Sequence, residues 1–266
     1  MNILHIGDIA GSAAITANMC TKLNHNSVVI TDDKVDEWDH GEYYKNTVHT
    51  SNTVLLKDTV KAMAHEFDHF VYHDRYDIAA DLDELHIDSS FMFHGNILRQ
   101  LPEIYNHVDN LESIDNLFVT TEDMLKYAPT ANLFHKPVDL DIFRIYEDIQ
   151  RIDMGLCLTQ ERYIKECNIL TADQEQVILV ADRIKNIRSY SEMPEFLNGF
   201  KYYYDVKYQP TVDQQPPMLI PELSQTGLQA LACGCAVWSN GIWFYKFPEI
   251  HSDEWACKEF ISVLHE

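Results

Sequence analysis

The stretch Asn2-Ile3-Leu4-His5-Ile6-Gly7-Asp8-Ile9-Ala10-Gly11-Ser12 holds a short apolar run, a glycine-bearing loop and the start of a helix. Small and apolar residues keep a helical pattern to about residue 23, and 27–31 (SVVIT) is a second β-type run ended by Asp32-Asp33. Strand, tight loop, helix, strand is the unit of a parallel α/β sheet. Outward from it, strands are expected at 48–56, 68–73, 86–93, 116–120 and 132–135, with a loop over 34–49 and a helix over 57–66. Thr121-Glu122-Asp123 should open a short helix with Thr121 as its cap. A second series follows, with strands expected at 155–159, 176–181, 202–208 and 236–239. In that series 191–197 is a capped helical turn, 209–217 a polar loop, 224–233 an amphipathic helix stopped by Gly234, and 253–265 a terminal helix. The pattern predicts two α/β halves joined near residues 139–151.

The chain has 266 residues, enough for one large domain or two small ones. Hydrophobic residues make up 46% and charged residues 23%, the mix of a folded chain. Asp and Glu number 42 against 20 Lys and Arg, for a net charge of −22. That field repels phosphate polymers and anionic lipid, which disfavours sequence-independent nucleic-acid binding but leaves room for a local cleft holding one small anion. No apolar run is long enough to span a membrane, and the first residues lack the basic and apolar regions of a signal peptide. The six cysteines are scattered, so they are expected to be reduced thiols in a cytoplasmic protein.

Gly7-x-x-x-Gly11 is not the G-x-G-x-x-G fingerprint, and no G-x-x-x-x-G-K-[ST] occurs. Gly7 and Gly11 are open to two readings, tight strand-to-helix packing or a backbone floor facing a cleft between two domains. The most specific region is Leu223-Ser224-Gln225-Thr226-Gly227-Leu228-Gln229-Ala230-Leu231-Ala232-Cys233-Gly234-Cys235-Ala236-Val237. Its hydroxyl-rich helix start is either a plain capped helix or a diphosphate site at the positive end of the dipole. His65-Glu66-Phe67-Asp68-His69 spells the zinc-protease text H-E-x-x-H, but the β-type pattern of 68–73 would break the helix that this motif requires. Cys233-Gly234-Cys235 lacks the C-x-x-C spacing, and Tyr202-Tyr203-Tyr204 and Trp243-Phe244-Tyr245 fit core packing better than base stacking at this charge.

The 229–237 run resembles the Glu-Ala-Leu-Ala-Cys-Gly-x-x-Val segment of family 4 glycosyltransferases. Three further stretches match that family in order. Phe67-Asp68-His69-Phe70-Val71-Tyr72-His73-Asp74 is similar to its FD-x-x-H-x-H strand, and Phe93-His94-Gly95-Asn96-Ile97-Leu98-Arg99 to its YHG-x-D-x-R loop. Phe118-Val119-Thr120-Thr121, continuing to 136–143, is similar to the segment before the second domain. The resemblance implies an α/β GT-B fold, with two Rossmann-like domains facing across a cleft. The acceptor-side domain would be 1–143, the nucleotide-sugar domain 144–252, and the terminal helix 253–266 would pack back on the first.

The same resemblance implies transfer of a sugar from a nucleotide-diphosphate donor such as a UDP- or GDP-sugar to a glycan, lipid or small-molecule acceptor, with retention and without a metal. His94, Arg162 and Lys165 would serve catalysis. Glu222, Ser224, Thr226, Gly227, Leu228 and Gln229 would hold the donor, and Gly7, Gly11, Ser12 and His73 would line the acceptor side. The chain departs from the family at Gln229, which stands for the second carboxylate of E-x7-E. Pro221 stands for the first, with Glu222 beside it. Arg162 and Lys165 have R-x2-K spacing instead of R-x4-K. Two alternatives accompany this reading: a degenerate nucleotide-sugar-binding module, and a phage-type glucosyltransferase acting on modified DNA bases, which the net charge opposes.

Overall fold

The computed structural model describes residues 1–8, 11–32, 43–94, 96–159, 161–172, 174, 176–182, 188–206, 208–209, 218–219 and 222–265. Most of the loop expected at 34–49, and 210–217 of the loop expected at 209–217, lie outside the described residues. The chain forms two compact units, one of 1–137 with 253–266 and one of 138–252.

The first unit is a seven-stranded sheet of β1 (Asn2–Ile6), β2 (Asn26–Thr31), β3 (Thr47–His49), β4 (His69–His73), β5 (Ser89–Phe93), β6 (Ile114–Val119) and β7 (Asn132–Leu133). All pairs are parallel, in the order β3-β2-β1-β4-β5-β6-β7. Strands covered on both faces read as continuous apolar runs, and Ile3, Leu4, Phe70, Val71, Phe91, Met92 and Phe93 are accordingly buried. Helices α1 (Ser12–Lys22), α2 (Thr53–Met63), α3 (Tyr76–Leu82), α4 (Asn96–Gln100) and α5 (Ile104–Asp109) belong to this unit. Leu56 and Val60 of α2 and Ile78 and Leu82 of α3 join Leu4, Ile6, Phe70, Tyr72, Phe91 and Phe93 in one core. Ala13 and Ala17 let α1 approach Val29 closely.

The second unit holds β8 (Ile152–Thr159), β9 (Ile178–Asp182), β10 (Phe200–Tyr204), β13 (Ala236–Ser239) and β14 (Ile242–Phe244), in the order β14-β13-β10-β8-β9. Its pairs are parallel except β13 with β14. A two-stranded ribbon pairs β11 (Tyr208–Gln209) with β12 (Met218–Leu219). The helices are α6 (Ile164–Thr171), α7 (Met193–Asn198) and α8 (Gln225–Ala232). Gly234 ends α8 at φ +81, where Arg151 donates to the carbonyls of Cys233 and Gly234. The last helix, α9 (Asp253–Leu264), belongs to the first unit. Cys257 Sγ lies 3.5 Å from Cys20 Sγ on α1, Lys22 pairs with Asp253 at 2.9 Å, and Phe260 packs on Phe118 and Phe134.

Several expectations need correction. The strand expected at 48–56 shrinks to β3 because Asn52 accepts the Leu55 N–H and starts α2 at Thr53. Thr121 makes no cap bond; its hydroxyl accepts from Arg99 Nη2 at 2.6 Å, and Glu122–Lys126 is a 3₁₀ turn. The strand expected at 202–208 runs Phe200–Tyr204, and Asp205 turns its side chain to α8. The β13–β14 hairpin has no counterpart in the sequence reading. Its signal was Asn240-Gly241, which take φ +50 and +88 as a two-residue hairpin loop requires. The H-E-x-x-H text is broken at Phe67, which is extended between a 3₁₀ turn and β4, so His65 and His69 share no helix face.

Candidate functional site

In an open α/β sheet, ligands bind outside the carboxyl ends of the strands where the strand order reverses. In the first unit the reversal lies between β1 and β4, and in the second between β8 and β10. Gly7 follows β1, His73 ends β4, and His94 follows β5. Arg162 and Lys165 follow β8, while Glu222, Ser224, Thr226 and Gly227 form the start of α8, on the path leading from β10.

At the first reversal point three imidazoles are linked. His5 Nδ1 lies 2.9 Å from His73 Nε2, and His73 Nδ1 lies 2.8 Å from His94 Nε2. The His73 and His94 rings are stacked, with centroids 5.1 Å apart. Burial pushes His5 down to about 3, with His69 adding to the effect. Burial likewise drives His73 well below the usual range, helped by His94 and His5, and His94 to about 3, helped by the Lys136 charge. All three are therefore neutral at neutral pH. His69 is a fourth buried histidine, with Nε2 2.8 Å from Ser90 Oγ, and burial lowers it to about 4. Asp74 takes φ +54 and accepts the His94 N–H at 3.1 Å. Burial raises its carboxyl to about 7, against the effect of that bond.

Gly7 (φ +83) is held by packing. A Cβ there would lie 2.6 Å from Arg75 Cγ and 3.1 Å from the His73 carbonyl oxygen. Arg75 in turn pairs with Asp32 and Asp77. Burial alone would raise Asp32, but hydrogen bonds from Arg75 and Thr53 outweigh it and hold the carboxyl below its usual range. Gly11 sits at the N-cap of α1 with φ +74, and Ser12 is the first helical residue. The start of α1 is closed by Asp8, whose Oδ1 accepts the N–H groups of Ala13 at 2.8 Å and Ala14 at 3.4 Å. Ile9, Ala10 and Gly95 lie outside the described residues.

The second unit repeats this device. Ser224 caps α8 by accepting the Gly227 N–H at 3.0 Å, and the buried Asp205 carboxylate accepts both the Ser224 N–H and its hydroxyl at 2.6 Å. A Cβ at Gly227 would lie 2.6 Å from Asp205 Oδ2. The helix start thus carries its own carboxylate, a charge that opposes a phosphate in the same place. Gln229 and Leu228 are buried on the packing side of α8, while Ser224, Thr226 and Glu222 are half-buried. Lys165 is exposed on α6 beside Glu161 and Asn168, and the Arg162 side chain lies outside the described residues. Arg99 of the matched loop serves as a brace, donating to Asp123 through Nε at 2.7 Å and Nη2 at 2.6 Å as well as to Thr121.

No protein-family model and no curated protein matches the chain. The site therefore stands on its own geometry. No helix among the described residues is long and apolar enough to cross a membrane. The structure brings together His73 and His94 in the first unit and Ser224 and Gly227 in the second. His5, Asp74 and Asp205 were missed as site residues. The signal available for Asp205 was its position directly after a strand that borders the order reversal.

Proposed function

We propose that the chain is a glycosyltransferase of GT-B type that takes a nucleotide-diphosphate sugar as donor. The observation that carries this reading is positional: in two Rossmann-like sheets, candidate residues flank both order reversals at the carboxyl ends of the strands. The return of α9 to the first unit also fits the fold that the sequence motifs imply. In this reading His94 faces the donor sugar, Thr226 at the α8 start meets the diphosphate, and Arg162 and Lys165 offset the charge that grows on the leaving group. Acceptor residues come from the first unit around Gly7, Gly11 and Ser12, with His73 buried behind His94.

A second reading, a nucleotide-sugar-binding module without transfer, is motivated by Gln229, which stands buried where the resemblance places a carboxylate; the Asp205 carboxylate at the α8 start opposes a phosphate in either reading. Calorimetric titration with UDP-, GDP- and ADP-sugars, with nucleotide release followed in parallel, separates the two. The enzyme reading expects binding with slow hydrolysis or transfer, and loss of turnover in Thr226→Ala at unchanged stability. Tight binding with no turnover supports the module. An absence of binding to every nucleotide sugar refutes both.

A further inference from the structure

We propose that His5 and His73 are positioning residues whose hydrogen-bonded chain locks His94 in the Nδ1–H tautomer, so that His94 presents a fixed donor at the first reversal point. A neutral imidazole carries one N–H and one lone pair. Each of the two contacts, His5 Nδ1 to His73 Nε2 and His73 Nδ1 to His94 Nε2, needs one proton. The third proton then lies at one end, on His5 Nε2 or on His94 Nδ1. The chain has only two neutral arrangements: all three rings Nδ1–H, or all three Nε2–H.

The surroundings of the two ends choose between them. His5 Nε2 is fully buried with no partner among the described residues, and Phe260 is the ring packed nearby. A proton placed there would be an N–H with no acceptor, and orphaned buried N–H groups are the rarer defect in folded proteins. His94 is the less enclosed end, at the carboxyl edge of the sheet. The proton therefore sits on His94 Nδ1, where an oxygen of a ligand can accept it. The groups facing the chain are consistent with neutral rings: His69 near His5 is itself held neutral by burial, Lys136 opposes protonation of His94, and Asp74 is occupied by the His94 backbone N–H. An electrophilic, uncharged donor suits a hydroxyl or phosphoryl oxygen, and the inference rests on the proposed function only for the identity of that oxygen.

The test uses the full chain labelled with ¹⁵N-histidine and long-range ¹H–¹⁵N correlation spectra, which separate protonated from unprotonated ring nitrogens. The expected result at neutral pH is a protonated Nδ1 and an unprotonated Nε2 for His5, His73 and His94, with no ligand added. In His73→Phe, the His94 nitrogens should move to values averaged between tautomers. A role for His73 in packing alone would leave them where they were. A protonated Nε2 in the three rings of the native chain, or an unmoved His94 in a folded His73→Phe variant, overturns the inference. The native spectrum alone decides the polarity, so a variant that fails to fold leaves the inference decidable. A failure of every UDP-, GDP- and ADP-sugar to bind would sink the proposed function without touching this result.

Discussion

Replacing Asp205 by Asn should weaken the fold of the second unit and tighten its hold on a diphosphate. The carboxylate is buried, and it accepts two hydrogen bonds of 2.6 Å from Ser224 at the positive end of α8. Asparagine keeps the shape and one acceptor oxygen but turns the other position into a donor. The loss of a charge-assisted bond costs about 1.5–3 kcal/mol, and the interaction with the helix end adds about 0.3–1 kcal/mol. Together these predict about 2–4 kcal/mol, measured as a lowered urea midpoint at unchanged slope. The effect on a ligand has the opposite sign. A unit charge about 4 Å from Asp205, at an effective dielectric of about 20, is repelled by about 4 kcal/mol. Even a third of that, about 1.4 kcal/mol, is a tenfold tightening of UDP binding, which calorimetry resolves. An unchanged or raised urea midpoint would refute the capping role. An unchanged affinity in a destabilised variant would show that the diphosphate does not lodge at the start of α8.

The buried histidines make the first unit acid-sensitive. Neutral His5, His69, His73 and His94 contribute stability that is complete above the unfolded value of 6.5 and is lost as pH falls toward 4 and 3. Asp74, raised from 3.8 to about 7, works the other way, so Asp74→Asn should steepen the net fall seen by urea melts between pH 6 and 4; a pH-independent midpoint over that range would contradict the buried neutral rings. Arg99→Ala should cost about 1.5–3 kcal/mol in chemical denaturation, because it removes the two charge-assisted bonds by which Arg99 grips the half-buried Asp123 carboxylate; a loss under about 0.5 kcal/mol would mean that Thr121, Lys126 and solvent already satisfy Asp123. Gly155→Ala should destabilise by about 1–3 kcal/mol, since a Cβ would run into the edge of the Tyr204 ring, and a neutral result would show that the ring moves aside freely. The six buried cysteines should react with a thiol reagent only on unfolding, and fast labelling of the native chain would place at least one at the surface.

Local chemistry made much of this fold legible. β1 falls on the first apolar run, β13 has the predicted bounds, and Ser224 caps α8 with Gly234 beyond its end, because apolar runs, a cap hydroxyl and a left-handed glycine act within a few residues of one another. The site was only partly legible because its partners meet through sheet register. His5 and His73 are 68 residues apart, and His73 and His94 are 21 apart. They touch because β1, β4 and β5 lie side by side. Asp205 reaches Ser224 across 19 residues, a link that no spacing rule near α8 could reveal. The helix start was legible as a capped turn, but the carboxylate that the chain itself supplies there was hidden just beyond a neighbouring strand.

The return of α9 has a consequence for how the protein is made. The first unit is built from two separated pieces of chain, with all of 138–252 synthesised between them. Cys257 and Phe260 fill places against α1 and β6 that stay empty until α9 leaves the ribosome. The second unit, a single continuous segment, is free to complete its core first. Of the two units, the one whose synthesis starts earlier thus completes its core only after the other has been made.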